Sequence, residues 1–230
     1  LTGHPFHASL ALAQFGGITQ VIAISPYERK DSTLTNEVVA FDASTGEELW
    51  NYTGMKSFAT IAPATVIDEN RLFLTDCSYN GNYKPVSVLL EITREGGGFQ
   101  INELFLTEQT GSKMHPPVLY EEHLYMNHSG RPNRMTCLNL KGEVLWENES
   151  IPGFEMGGLI MVDGMIINQN GKNGEIALIE PSPEGYQEKG RASFFNSNKS
   201  QAWAPLAFSQ GKLIVRDTEK MVCVDLQNPS

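Results

Sequence analysis

The sequence has few cysteines, and they are widely separated. Cys77, Cys137 and Cys223 lie 60 and 86 residues apart, which excludes the close pairs of structural zinc sites and dithiol redox motifs. Cys137 and Cys223 lie within the alternating apolar runs MTCLNL and MVCVDL. We therefore expect these two cysteines to be small buried hydrophobic residues in β-strands.

Long apolar runs and positive charge are also scarce. No apolar stretch reaches the length of a membrane-spanning helix, so we expect no transmembrane helix. The chain carries 17 Lys and Arg residues against 27 Asp and Glu residues, a net charge of −10. Nucleic acid is therefore an unsuitable partner, because like charges repel. The 40% share of hydrophobic residues is that of a soluble globular protein with a large core.

Helical periodicity is lacking over any stretch longer than two turns. The sequence contains instead many short runs rich in Val, Ile, Leu and Tyr, separated by Gly, Asn, Asp and Pro. This pattern predicts an all-β fold with many short antiparallel strands. The runs are QVIAIS (20–25), EVVAFDA (37–43), RLFLTD (71–76), SVLLEIT (87–93), HLYMN (123–127), MTCLNL (135–140), MIINQ (165–169), EIALIE (175–180), KLIVRD (212–217) and MVCVDL (221–226).

Two markers repeat in step along the chain. An acidic or amide residue ends an apolar run before a turn at intervals of 49, 48, 41 and 45 residues, at Asp42, Glu91, Asn139, Glu180 and Asp225. The second marker lies upstream in each unit, at Leu10, Pro63, Pro117, Gly158 and Pro205. Four strands in about 45 residues is the size of one blade of a β-propeller. We therefore predict a single propeller domain with blade units at 7–54, 58–109, 113–150, 154–197 and 201–230.

The fourth strand of a unit is expected to end in an aromatic residue that packs on the next sheet. It ends in Trp50 in the first unit and in Trp146 in the third. In the second and fourth units we expect a longer turn before Phe105 and before Phe194–Phe195. The aspartate that precedes the turn can accept hydrogen bonds from turn amides or from the indole N–H, so we interpret the repeat as a packing device.

The stretch AFDASTGEELW resembles the tryptophan-docking motif A-x-D-x-x-T-G-x-x-x-W of pyrroloquinoline-quinone-like propeller repeats. Ala40, Asp42, Thr45, Gly46 and Trp50 match it in full. The stretch CLNLKGEVLW matches it in part, through Asn139, Gly142 and Trp146, with Cys137 in place of Ala and a turn one residue shorter. Nearly the whole chain is similar to quinoprotein alcohol dehydrogenase-like repeat proteins of bacteria, which implies a β-propeller in the periplasm or cell envelope.

The dehydrogenases of that family hold pyrroloquinoline quinone over a calcium ion, with a carboxylate base and often a vicinal Cys-Cys disulfide. The sequence has no Cys-Cys pair and no dense Asp, Glu and Asn cluster of the calcium-loop kind. DENR (68–71) and YEEH (120–123) are acidic but fall where hairpin turns are predicted. We therefore expect no catalytic residues, no metal site and no cofactor, and assign quinone with calcium only to an alternative interpretation.

Three residues are candidates for a ligand site. His7, His115 and Trp203 stand just before the first strand of their units, and that strand lines the central channel of a propeller. They are expected to meet at one mouth of the channel, as polar lining with bound water or, less favoured, as ligands.

Three function classes follow. The favoured one is a non-catalytic binding or scaffold module in the bacterial cell envelope that binds a protein, glycan or small ligand, similar in architecture to the propeller lipoprotein that helps assemble outer-membrane barrels. The alternatives are a quinoprotein alcohol dehydrogenase or a decayed relative, and a structural module of a larger chain.

The fifth unit has three predicted strands and no fourth strand ending in an aromatic residue. Closed propellers usually complete the last blade with strands from both chain ends. The segment LTGHPF (1–6) is a poor strand because it contains glycine and proline. We therefore expect an N-terminally incomplete propeller whose missing residues add the outer strand and further units, to seven or eight in all.

Overall fold

The computed structural model describes residues 8–28, 34–57, 60–77, 84–129, 133–148, 153–195 and 201–227. These residues form 19 β-strands and no helix, so the all-β prediction is confirmed. No helix in the described ranges has the length and hydropathy of a membrane span. The chain divides into two compact units, residues 1–116 with 140–143 (unit 1) and residues 117–139 with 144–230 (unit 2).

Unit 1 contains two four-stranded antiparallel sheets in which consecutive strands are neighbours. The first sheet consists of β1 (Ala11–Phe15), β2 (Ile18–Glu28), β3 (Leu34–Asp42) and β4 (Glu48–Tyr52). The second sheet consists of β5 (Thr65–Val66), β6 (Arg71–Asp76), β7 (Val86–Glu95) and β8 (Gly98–Thr107).

Unit 2 contains three sheets with the same order of strands. The third sheet consists of β9 (Val118–Tyr120), β10 (His123–His128), β11 (Arg134–Asn139) and β12 (Val144–Glu147). The fourth sheet consists of β13 (Leu159–Val162), β14 (Met165–Gln169), β15 (Ile176–Glu180) and β16 (Gln187–Ala192). The fifth sheet has three strands in the described range, β17 (Ala207–Ser209), β18 (Lys212–Arg216) and β19 (Met221–Asp225).

The repeat markers correspond to a shared irregularity in strand pairing. In each four-stranded sheet the register between the third and fourth strands shifts once, two residues before the marker. The shifts follow Ala40, Leu89, Cys137 and Leu178. A β-bulge bends the strand and increases its twist, so the same bend recurs at the same place in four sheets.

The core of unit 1 lies between its two sheets. Apolar residues of the first sheet, including Phe15, Ile22 and Trp50, form one buried cluster with residues of the second sheet, including Leu72 and Leu90. Burial of this apolar area is the main force that holds the two sheets together.

Unit 2 has two such clusters. Tyr125 and Met135 of the third sheet pack with Ile166 and Ile179 of the fourth sheet. On the opposite face of the fourth sheet, Ile167 and Ile176 pack with residues of the fifth sheet such as Val215. The sheets of unit 2 are thus stacked in chain order, as the predicted repeat requires.

Two expectations about the fourth strands are wrong. In the second sheet the turn does not grow. Instead, β7 and β8 both lengthen and remain paired as far as Glu95 and Gly98, across a two-residue turn. In the fourth sheet Gly190 takes the aromatic position opposite Leu178. Phe195 lies beyond the strand but is buried in the cluster with the fifth sheet.

The expectation that Cys223 is buried is also wrong. Cys137 is buried in β11, and desolvation raises the pKa of its thiol to about 11. Cys223 is exposed in β19. Strand alternation explains this difference, because Val222 and Val224 pack toward the fourth sheet and Cys223 points to the other face.

Candidate functional site

The turn of the full docking motif is held by Asp42. Its Oδ1 accepts hydrogen bonds from the Ser44 hydroxyl at 2.5 Å, the Ser44 amide at 2.7 Å and the Thr45 amide at 3.2 Å. The Ser44 hydroxyl, followed by the Ser44 amide, holds the pKa of Asp42 below its ordinary value of 3.8. Gly46 closes the turn with a φ of 76°, a conformation that favours glycine.

Trp50 lies opposite Ala40 in the register and is only 6% exposed. Its indole N–H donates to the side-chain oxygen of Gln20 at 2.7 Å, not to Asp42. Gln20 is itself fully buried and donates to the main-chain oxygen of Phe15 at 3.3 Å. The sequence offered Asp42 two kinds of donor, the turn amides and the indole N–H, and in the structure it accepts from the turn amides.

In the partial motif of the third sheet, the tryptophan has the same position in the sheet but different contacts. Trp146 lies opposite Cys137 and is half-buried against the cluster shared with the fourth sheet. Its indole N–H donates to the main-chain oxygen of Ser182 at 2.8 Å. Gly142 adopts a φ of 84° in the turn that follows Asn139. All eight motif residues therefore stabilise turns or packing, or lie in those turns and strands.

The proposed convergence of three residues at a channel mouth stays a prediction. His7 lies outside the described residues. His115 belongs to unit 1 and is buried, in the segment that follows β8. Trp203 is half-buried in the connection between β16 and β17 of unit 2.

Equivalent positions near the end of the second strand are polar and buried in all five sheets: Ser25, Asp76, His128, Asn170 and Asp217. Two of these side chains hold the loop that follows them. Asn170 accepts from the amide of Lys172, and Asp217 accepts from the amides of Glu219 and Lys220. These bonds are of the Asx-turn kind, which satisfies loop amides from a neighbouring side chain.

A pair of buried amides connects the third and fourth sheets. Asn127 and Asn168 exchange side-chain hydrogen bonds of 2.8 Å in both directions. Asn127 also donates to the main-chain oxygen of Gly157 at 2.7 Å. Both side chains are almost fully buried, so these bonds supply the partners that a buried amide needs.

The described surface of unit 1 contains an open depression of about 570 Å³. We call it the turn groove. A second depression of about 400 Å³ shares Gly17 with it and reaches Asp42 and Ser44 of the docking-motif turn. The turn groove is lined by Gln14, Gly16, Gly17, Glu69, Asn70, Ile92, Thr93 and Arg94. Sequence reasoning missed this site, because it is formed by the β1–β2 turn of the first sheet together with the β5–β6 turn and β7 of the second sheet.

Within the described ranges, no three His, Cys, Asp or Glu side chains stand close enough together to hold a metal ion. The buried carboxylate of Asp76 accepts from the amide of Cys77, and that of Asp217 accepts from the amides of Glu219 and Lys220. Neither carboxylate belongs to a cluster of three such side chains among the described residues, whereas Ca²⁺ takes about six to eight oxygen ligands. The expectations about quinone and calcium stay predictions.

No protein-family model and no curated protein sequence matches the chain. Solved structures do. A periplasmic gluconolactonase of Pseudomonas aeruginosa superposes with a TM-score of 0.65 at 13% identity, over 92% of this chain and 66% of that one. A europium-containing methanol dehydrogenase gives a TM-score of 0.55 at 13% identity, over 94% and 50%. A Bacteroides fragilis protein provisionally named a 6-phosphogluconolactonase gives 0.53 at 12%, over 89% and 63%.

The chain has the β-propeller fold. The sheets described above are its blades, and the fold class expected from the sequence is confirmed. The chain spans half to about two thirds of the length of these solved structures. Membership of the quinone-like repeat family stays a prediction, as do the blade-unit boundaries and the total number of blades.

Proposed function

We propose that this propeller is a non-catalytic binding module that acts outside the cytoplasm. One observation carries the proposal. Buried polar side chains such as Asn127 and Asn168 use their hydrogen-bonding groups to hold sheets together. Exposed polar side chains instead line the turn groove. A rigid scaffold that presents polar groups on its surface is better suited to binding a partner than to catalysis.

The extracytoplasmic location is supported by the docking-motif resemblance. It is also compatible with the periplasmic location of the gluconolactonase that shares the fold. We propose a protein or glycan as the partner in preference to a small apolar ligand, because pockets for such ligands are enclosed and mostly apolar.

A quinoprotein alcohol dehydrogenase, or a decayed relative, is the second candidate. The fold likeness to the europium-containing methanol dehydrogenase favours it. Among the described residues no three His, Cys, Asp or Glu side chains form a cluster that could hold a metal ion, and a propeller fold alone does not imply an activity. A structural module of a larger chain is the third candidate.

One assay separates the first two candidates. The purified protein is incubated with pyrroloquinoline quinone and calcium, and dye-linked oxidation of primary alcohols and hydrolysis of gluconolactone are measured. We expect neither activity and no quinone absorbance after gel filtration. Either activity above the buffer control would contradict the non-catalytic function.

A further inference from the structure

The second blade differs from the other three four-stranded blades in one hairpin. In the first, third and fourth blades the third strand ends at the repeat marker, for example at Asp42 and Asn139. In the second blade β7 continues past its marker, Glu91, and forms four further pairs with β8, from Ile92 with Ile101 to Glu95 with Gly98. This hairpin extension forms one wall of the turn groove.

The extension is fixed against the β1–β2 turn of the first blade. The Arg94 guanidinium donates to the main-chain oxygen of Gly16 at 3.2 Å. A Cβ atom on Gly16 would lie 2.7 Å from the Cβ of Arg94 and 3.2 Å from the ring of Phe99. Gly16 also has a φ of 55°. Only glycine suits this contact, so the two walls of the groove are held at a fixed distance before any ligand arrives.

The lining has the hydrogen-bonding character of a peptide main chain. Gln14 and Asn70 contribute carboxamides and Thr93 contributes a hydroxyl, and each of these groups can both donate and accept. None of the three side chains makes a hydrogen bond to another described residue, whereas the main chain of Asn70 is bonded to Asp68 and Ile92. An extended peptide presents N–H and C=O groups in alternation and matches such a lining.

Two opposite charges also face the groove. Arg94 and Glu69 are both exposed, and the guanidinium keeps N–H groups beyond the one that binds Gly16. A neutral glycan carries no charge that could pair with either ionic group, and nucleic acid is repelled by a chain of net charge −10. A peptide with both acidic and basic residues pairs with both groups.

We propose that the turn groove binds an extended peptide segment of mixed charge. Gln14 and Asn70 bind its main chain, Arg94 binds an acidic side chain, and Glu69 binds a basic one. The inference rests on the proposed binding function and names the class of partner that this function serves.

The test uses short random peptides displayed on phage and selected on the immobilised whole chain. The enriched peptides are synthesised and titrated against wild type, Arg94→Gln, Gln14→Ala and the control Arg216→Gln, which removes an exposed arginine of unit 2. We expect Arg94→Gln to weaken the Kd about tenfold or more and Gln14→Ala to weaken it severalfold. Arg216→Gln should bind as wild type does. Thermal unfolding confirms that each variant is folded.

Three results would overturn the inference. They are the absence of any enriched peptide, enriched peptides that bind wild type and both groove variants equally, and glycan binding on an array that is lost in Arg94→Gln while no peptide binds. If peptides bind equally well to wild type, Arg94→Gln and Gln14→Ala, the protein would still be a binding module, but the turn groove would not be its binding site. Quinone-dependent alcohol oxidation would contradict the proposed non-catalytic function, independently of what binds to the groove.

Discussion

Trp50 of the first blade and Trp146 of the third hold equivalent positions, each opposite the residue that precedes the bulge. Their surroundings differ. Trp50 is 6% exposed and its indole donates to the buried side chain of Gln20. Trp146 is half-buried and donates to a main-chain oxygen. The repeat therefore determines where the tryptophan lies but not which group accepts its hydrogen bond, since the acceptor belongs to the same blade for Trp50 and to the next blade for Trp146.

The largest expected effect is at the buried tryptophan. Trp50→Ala removes a large side chain from the cluster between the first two blades, and we expect it to lower the free energy of unfolding by about 3–5 kcal/mol. Urea unfolding followed by circular dichroism measures this loss. A loss below that of Trp146→Ala would contradict the difference in burial.

A smaller loss is expected at Trp146. It already contacts solvent, so Trp146→Ala should cost about 1–3 kcal/mol, below the range for fully buried aromatic residues. The same urea titration applies. Trp146→Phe is the matched control, because it keeps an aromatic ring beside Tyr125 and Tyr186 while it loses the indole hydrogen bond and part of the buried ring area.

The acceptor of the indole hydrogen bond is a side chain, Gln20, in the first blade and a main-chain oxygen in the third. Gln20→Leu leaves the Trp50 indole N–H buried without its acceptor, at a cost of about 1–3 kcal/mol. The cost should largely vanish when Trp50 is already Phe, and a double-mutant cycle measures this coupling. No side-chain substitution removes the acceptor of Trp146, since that acceptor is main chain. Additive effects of the two substitutions would show that the hydrogen bond does not form.

The smallest effect is expected at the exposed turn. The folded state holds the pKa of Asp42 below 3.8, so the ionised carboxylate stabilises the fold at neutral pH. This contribution is lost as the pH falls through the folded pKa. Asp42→Ala should therefore be less stable than wild type at neutral pH, and the difference should shrink in strong acid. A difference independent of pH would rule out the charged hydrogen bonds as its cause.

The blades could be predicted from the sequence because the residues that define each blade are close together in the chain. The Asp42 turn, Gly46 and the strand that ends at Trp50 lie within a few residues of one another, and five spaced copies of the marker define the repeat. The role of Gln20 was not predictable in this way. Gln20 and Trp50 are 30 residues apart in the chain. They meet because β2 and β4 lie on the two sides of β3 in the sheet.

The second hairpin was misinterpreted for a physical reason. The run Gly96–Gly98 resembles a flexible loop, but Gly96 and Gly97 have positive φ values and form the tight two-residue turn of a long hairpin. In the segment FQINELFL apolar and polar residues alternate, with Phe99 and Ile101 on the face that packs on the core, and this pattern is typical of a strand. The turn groove depends on this hairpin, so the groove was missed together with it.

Tryptophan fluorescence tests the central claim, that the repeated aromatic residue is a docking residue between blades, most directly. Variants that keep only Trp50 or only Trp146, with the other tryptophans replaced by Phe, are compared by emission maximum and acrylamide quenching. We predict a blue-shifted, weakly quenched Trp50 and a more red-shifted, more quenched Trp146, with both becoming alike in urea. A native Trp50 that emits and is quenched like the unfolded chain would contradict the account.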